Sequence, residues 1–196
     1  MKYRPLSISG AIEVTPQKFG DQRGTFLEIF KQETFNGVAG RTLDLAQVNC
    51  SVSAAGVIRG VHFADVPPGQ AKYVTCISGA VLDVVVDLRV GSPTFGRWDS
   101  VLLDDTHRRA VFIEEGLGHA FMSLEDDSTV VYLCSTGYNP DREHEIHPFD
   151  ADLAIEWPYT TRLGTPVTHQ LSTKDSCAPT LEQAQQSGLL PTYTHK

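Results

Sequence analysis

Short apolar runs recur along the chain, some with polar residues at alternate positions, and turn residues separate them. Strand-like runs cover residues 45–53, 57–63, 72–78, 80–88, 97–103, 110–113, 120–124 and 129–135. Ser78-Gly79, Gly91-Ser92-Pro93, Asp104-Asp105 and Asp126-Asp127 separate them. Many short strands with turns at close spacing predict an all-β sandwich or barrel. Before them, residues 7–17 read as an opening strand, 21–24 as a turn, 25–30 as a strand and 31–39 as a short helix. After Tyr138 the pattern gives way to a loop-rich stretch through Trp157-Pro158. Thr180 and Gln183 then fit a capping box, with Gly188 as a stop, so a short helix is expected over 181–187. The chain shows no internal repeat and no low-complexity linker. Residues 1–196 are expected to form one domain, with a tail from about 159 to 196 packed on the barrel.

Three strands carry more detail. In 81–88, Leu82, Val84, Val86 and Leu88 share one face, while Asp83 and Asp87 share the other with Val81 and Val85. In 47–53, Val48, Cys50 and Val52 face one way, and Gln47, Asn49, Ser51 and Ser53 the other. That polar face is either a solvated surface or the wall of a cavity. In 57–63, strict alternation would send Arg59 and His62 to opposite faces. Gly60 between them marks a candidate bulge that would bring them together. Lys72 opens the next run, past a Pro-Pro-Gly loop at 67–69. Three groups able to carry positive charge thus crowd a region that reads as buried, which requires carboxylate neighbours or an anionic ligand.

Composition narrows the partners. The 196 residues are 41% hydrophobic, an ordinary share for a domain with a real core. The formal net charge of −8 excludes non-specific nucleic-acid binding, which needs a basic footprint. No run approaches the roughly 20 apolar residues of a spanning helix. The start lacks a signal-peptide core, so a cytoplasmic protein is expected with no membrane partner. Cys50, Cys76, Cys134 and Cys177 stand alone, three of them in apolar runs. They read as buried reduced thiols rather than zinc ligands or disulfides.

The candidate chemistry follows by elimination. A metal-binding barrel would offer His-x-His plus Glu, but Phe63 and Ala64 follow His62, so no metal is expected. There is no nucleophile elbow and no Gly-rich phosphate loop. General acid–base chemistry remains. His62 has a pKa range suited to proton removal at neutral pH, and Tyr132 lies in an apolar strand where its hydroxyl needs a partner. A strand His and a buried Tyr are more often plain structural residues, and that reading stands beside the functional one.

The ordered motifs add a resemblance. They are D-Q-R-G at 21–24, F-L-E at 26–28, Q-V-N at 47–49, R-G-V-H-F at 59–63 and Q-A-K-Y-V at 70–74. D-V-V-V-D-L-R at 83–89, G-S-P-T-F-G at 91–96, G-H-A-F at 118–121, Y-N-P at 138–140 and L-S-T-K-D at 171–175 follow. Together they resemble the dTDP-4-dehydrorhamnose 3,5-epimerase family, whose fold is a cupin-like jelly roll. The resemblance implies His62 as general base, Asp175 as its acidic partner and Tyr132 as general acid. It places Lys72 near the C4 oxygen of the sugar and Arg23 and Arg59 on the diphosphate. Glu28, Gln47, Asn49, His119, Glu143 and Lys174 become further substrate contacts, and Tyr138 a stacking partner for thymine. It implies a dTDP-4-keto-6-deoxyhexose substrate, a homodimer with shared strands, and no cofactor. Two alternatives stay open: an epimerase of C3 or C5 alone, and a non-catalytic barrel that binds nucleotide sugars.

Overall fold

The computed structural model describes residues 1–194. Two antiparallel sheets lie face to face. The six-stranded sheet runs β1 (Lys2–Pro5), β2 (Ala11–Thr15), β10 (Ala110–Ile113), β7 (Lys72–Ser78), β12 (Ser128–Cys134), β5 (Gln47–Ser53). The five-stranded sheet runs β13 (Glu143–Glu145), β6 (Ile58–Ala64), β11 (Leu117–Ser123), β8 (Ala80–Asp87), β9 (Trp98–Asp104). A separate hairpin pairs β3 (Lys18–Asp21) with β4 (Gly24–Leu27). Helices are short: α1 (Gln32–Ala39), α2 (Thr173–Ser176) and α3 (Leu181–Gln186). This is the all-β sandwich that the strand pattern predicts, with the jelly-roll fold that the resemblance implies.

Alternation sorts the side chains into three cores. Between the sheets lie Val74 and Cys76 of β7, Val81 and Val85 of β8, Leu103 of β9 and Val130 of β12. The opposite faces of the same strands form the other two. Ile58, Val61, Val84 and Val86 pack under Trp157 and under Leu181 and Ala184 of α3. Tyr73 and Phe112 pack under Phe35 of α1. Covering both faces is why β8 is buried nearly throughout, including the mixed face with its aspartates. α3 carries the expected capping box, with Thr180 Oγ1 accepting from the Gln183 backbone and the Gln183 side chain accepting from the Thr180 backbone.

Several boundaries differ from the pattern. The opening strand expected over 7–17 narrows to β2, entered by a turn at Gly10 whose φ of +89° suits glycine, and β1 lies ahead of the expected stretch. β11 begins at Leu117, three residues early, because Gly118 is a close-packing position against Val61 and Leu88 rather than a turn. β13 and α2 go beyond the reading of 139–158 and the tail as loops; three and four residues are too short to show a period.

β5 resolves its own ambiguity in an unusual direction. Its polar face points inward, and Val48 and Val52, each 56% exposed, point out with Cys50. The expectation of buried thiols is therefore corrected: Cys76 and Cys134 are buried, but Cys50 and Cys177 are exposed. Cys50 shares the outward pleat of β5, and Cys177 ends the surface helix α2.

Candidate active site

The site grows from the kink in β6. Across from it, β11 pairs His119 with His62 and Phe121 with Arg59, so two steps on β11 span three on β6. The extra residue is the bulge expected at Gly60, and it turns Arg59 and His62 to the same inward face. Gly60 is required there. Its φ is +119°, and a Cβ would sit 2.6 Å from the His119 carbonyl oxygen and the Ala120 Cβ.

Opposite β6, the inward residues of β7, β12 and β5 begin with Lys72, Tyr132 and Asn49 before the core closes. A cavity of about 280 Å³ opens between the sheets here. It is lined by Asn49, Arg59, His62, Lys72, Tyr132, Tyr138, Glu143, Lys174 and Asp175. Nine of the residues singled out from the sequence thus meet in one place. A larger cavity, about 350 Å³, lies beside the C-terminal strap, but its ionisable groups are already paired, as Arg89 is with Asp87.

α2 delivers Asp175 to His62. Ser172 caps the helix: its Oγ accepts from the Asp175 backbone N–H at 3.0 Å and donates to Asp175 Oδ2 at 2.8 Å. Asp175 Oδ1 then lies 2.7 Å from His62 Nε2. Burial pushes the Asp175 carboxyl up, but the bond and charge of His62, the Ser172 hydroxyl and the Gly60 N–H outweigh it, so its pKa ends below the usual value. An ionised Asp175 holds the proton of neutral His62 on Nε2 and leaves Nδ1 as the basic nitrogen.

Tyr132 sits on the other sheet, opposite Asn49 in the β5–β12 register. Burial raises its pKa, with Cys134 and Glu143 adding and Arg59 and Asn49 opposing, so the hydroxyl keeps its proton at neutral pH. Lys72 is only 9% exposed. Burial lowers its pKa, against the attraction of Cys134, Glu143 and Asp83. Arg59 Nε donates to Ser53 Oγ at 3.1 Å, which leaves the outer edge of its guanidinium for a ligand.

The remaining candidates stand apart from the cavity. Gln47 braces it from behind: its amide donates to Asn49 Oδ1 at 2.7 Å and its oxygen accepts from the Tyr138 N–H at 2.8 Å. His119 is buried beside His62, its register partner, with Nε2 2.7 Å from Asp83 Oδ2. Arg23 and Glu28 are not brought to this cavity by their own chain. Arg23 pairs with Asp21 at the exposed tip of the β3–β4 hairpin, and Glu28 with Lys31. Three lining residues escaped the sequence reading: Gln70, Glu145 and Ser172. Ser172 and Asp175 form an S-x-x-D helix-start signal that would have found α2. Glu145 repeats Glu143 at strand spacing, and it forms a close ion pair with Lys174. Among the described residues, no three His, Cys, Asp or Glu side chains gather as a metal would need.

A base and an acid on opposing walls, with a buried cation between, suit proton exchange at a carbon next to a carbonyl. Comparison with known proteins agrees. The family profile for dTDP-4-dehydrorhamnose 3,5-epimerase matches residues 5–183. A dTDP-4-dehydrorhamnose 3,5-epimerase of Mycolicibacterium smegmatis is 58% identical over 193 residues, covering 98% of this chain and 92% of that protein. A dTDP-4-dehydrorhamnose 3-epimerase of Streptomyces niveus is 54% identical, covering 98% and 90%. The solved structure of the Mycobacterium tuberculosis rmlC epimerase superposes with a TM-score of 0.94 at 55% identity, covering 98% of this chain and 94% of that one. With the family profile covering most of its length and relatives more than half identical to it, the chain belongs to the dTDP-4-dehydrorhamnose 3,5-epimerase family.

Proposed function

We propose that the protein is a cofactor-independent isomerase that converts dTDP-4-dehydro-6-deoxy-D-glucose to dTDP-4-dehydro-L-rhamnose. The observation that carries this reading is His62 on one sheet, paired with Asp175 of α2, facing Tyr132 on the other sheet. In each half-reaction His62 takes the proton from C3 or C5. The C–H electrons move onto the C4 oxygen, where the Lys72 ammonium stabilises the enolate. Tyr132 then gives a proton to the same carbon from the opposite face, the ketone re-forms, His62 releases its proton to solvent and solvent returns the proton of Tyr132. Arg59 serves the diphosphate through paired N–H donors. Asn49, Glu143, Lys174 and the Tyr138 ring serve the rest of the nucleotide sugar.

The working unit is a homodimer of single-domain chains acting in the cytoplasm. Two exposed apolar surfaces support the dimer: the outward face of β5, and the hairpin with Phe19 and Phe26, the latter 66% exposed. A second copy that covers them would also take Arg23 and Glu28 into its own cavity, which accounts for their distance from this one.

Incubation with dTDP-4-dehydro-6-deoxy-D-glucose in heavy water, followed by reductive trapping and NMR, tests the reading. Deuterium at both C3 and C5 with the L-rhamno configuration is expected. Deuterium at C3 alone would make the protein a C3 epimerase, the activity named for the Streptomyces niveus relative. Exchange at neither carbon would leave a nucleotide-sugar binder.

A further inference from the structure

Edge strand β13 puts two glutamates on the wall of the cavity. In the β6–β13 register Glu143 lies opposite Ala64 and Glu145 opposite His62, and residues opposite one another share a face. Consecutive residues of α2 then meet both members of one cross-strand pair: Asp175 bonds to His62, and Lys174 forms a close ion pair with Glu145. The Glu145 side chain is 13% exposed and that of Lys174 56%. The bond to Glu145 raises the Lys174 pKa, so the ammonium is charged at neutral pH. Among the described residues, the lining carries three cations, Arg59, Lys72 and Lys174, and three carboxylates, Glu143, Glu145 and Asp175. These formal charges cancel, in a cavity whose proposed ligand is strongly anionic. Asp175 is engaged with neutral His62, and Glu143 accepts from the uncharged Gln70 amide at 3.5 Å. Glu145 is the carboxylate that takes a cation of the lining for itself.

Resting on the epimerase reading, we infer that Glu145 sets the affinity of the site: its carboxylate neutralises Lys174 and holds back the grip of the cavity on the diphosphate of the nucleotide sugar. Whichever group of the nucleotide Lys174 touches, its charge also acts on the diphosphate. A space of about 280 Å³ keeps its groups within about the 8–10 Å screening length of salt water. With Glu145 attached, that attraction meets an equal charge of opposite sign, and a like charge facing a phosphate costs affinity. The cost falls on substrate, product and free dTDP alike, since all three carry the diphosphate. Such uniform weakening raises KM, rather than the barrier at C3 and C5, and hastens product release. A clamp that merely pins α2 would act with the opposite sign, because its loss would loosen Asp175 from His62 and weaken binding. α2 has other anchors for that purpose. Ser172 caps it, and just ahead of it the Ile58 N–H donates to the Gln170 carbonyl at 2.9 Å.

Glu145→Gln removes the charge and keeps the shape. Isothermal titration with dTDP should give a Kd about 3- to 10-fold below that of wild type at low salt, between the worth of an exposed ion pair and that of a charge-assisted hydrogen bond. The gain should shrink as salt is raised. Thymidine, which has no phosphate, should bind wild type and variant alike when followed by NMR. Glu145→Ser, which removes the carboxylate outright, should show the same gain for dTDP. A dTDP Kd that is unchanged or higher in either variant would make the ion pair a structural clamp and overturn the inference. A gain for thymidine as large as that for dTDP would also overturn it, since the effect would then not act on the diphosphate. Failure of the epimerase reading is separate: wild type would exchange hydrogen at neither C3 nor C5, while dTDP would still bind Glu145→Gln more tightly.

Discussion

The space between the two sheets has a dry half and a wet half, built from the same strands. On β7, Lys72 faces the cavity and Val74, two residues on, is fully buried in the core. On β12, Tyr132 lines the cavity and Val130 the core; on β11, buried His119 gives way to Phe121. One step of the pleat, two residues, separates chemistry from packing. The dry half supplies rigidity, because apolar side chains interlock at crystal-like density. The wet half borrows that rigidity: His62, Lys72 and Tyr132 sit on strands rather than loops, so their spacing is set by the sheets. Asp83 sits beside Val81 and Val85 on the dry side of that border, with its Oδ2 bonded to His119.

If the halves are distinct, substitutions should separate activity from stability. The largest effect is expected at the His62–Asp175 pair. His62→Ala should lower kcat by about 10²- to 10⁴-fold, the usual contribution of a general base. Asp175→Asn should cost less, and the double variant little more than His62→Ala, because the pair acts as a unit. Steady-state kinetics of the three variants decide this, and fully multiplicative losses would break the pair. Thermal melts of the same variants should shift little beside these losses in kcat, since active-site residues are rarely optimised for stability.

The dry half should behave in the opposite way. Leu103 is fully buried between the sheets. Leu103→Ala should cost about 2–5 kcal/mol in urea unfolding while kcat and KM, measured below its melting range, stay within about twofold. A loss of kcat comparable to that of Asp175→Asn would mean that the wet half is not insulated from the core. A smaller effect is expected at the rim of the cavity. Arg59→Ala should raise KM by roughly 10- to 100-fold, the worth of charge-assisted hydrogen bonds of about 1.5–3 kcal/mol, with kcat little changed. A fall in kcat at constant KM would move Arg59 from binding into the chemistry.

The smallest effect concerns pH. Asp175 titrates below its unfolded value, so its native contacts stabilise the fold fully above that value, near pH 3.9. The contribution fades as pH falls through the depressed native pKa. Wild type and Asp175→Asn should therefore differ most in Tm at neutral pH and converge in acid. A difference that grows on acidification would contradict the depressed carboxyl.

The amino-acid sequence settled the strands, because an alternation of period two and the turns between runs are local properties. Gly60 announced the bulge for the same reason: only glycine fits where β11 comes so close, and its neighbours Arg59 and His62 needed a common face. Thr180 and Gln183 wrote the start of α3 in four residues. The motifs, taken together, were specific enough to name a family.

Tertiary structure alone decided the rest. Alternation gives β5 two faces but not which one is inside. Its polar face became the cavity wall only because β12 and the opposing sheet present Tyr132, Arg59 and His62 to it. The meeting of Asp175 with His62 joins positions 113 residues apart, and no local pattern encodes a distance of that kind. The partners of Asp83, and the placement of Arg23 and Glu28 away from this cavity, depend on packing across sheets and across the exposed hairpin. Local periodicity fixes which side chains share a face; which faces meet is settled by burying the most apolar area at the least polar cost, and that is a property of the whole chain.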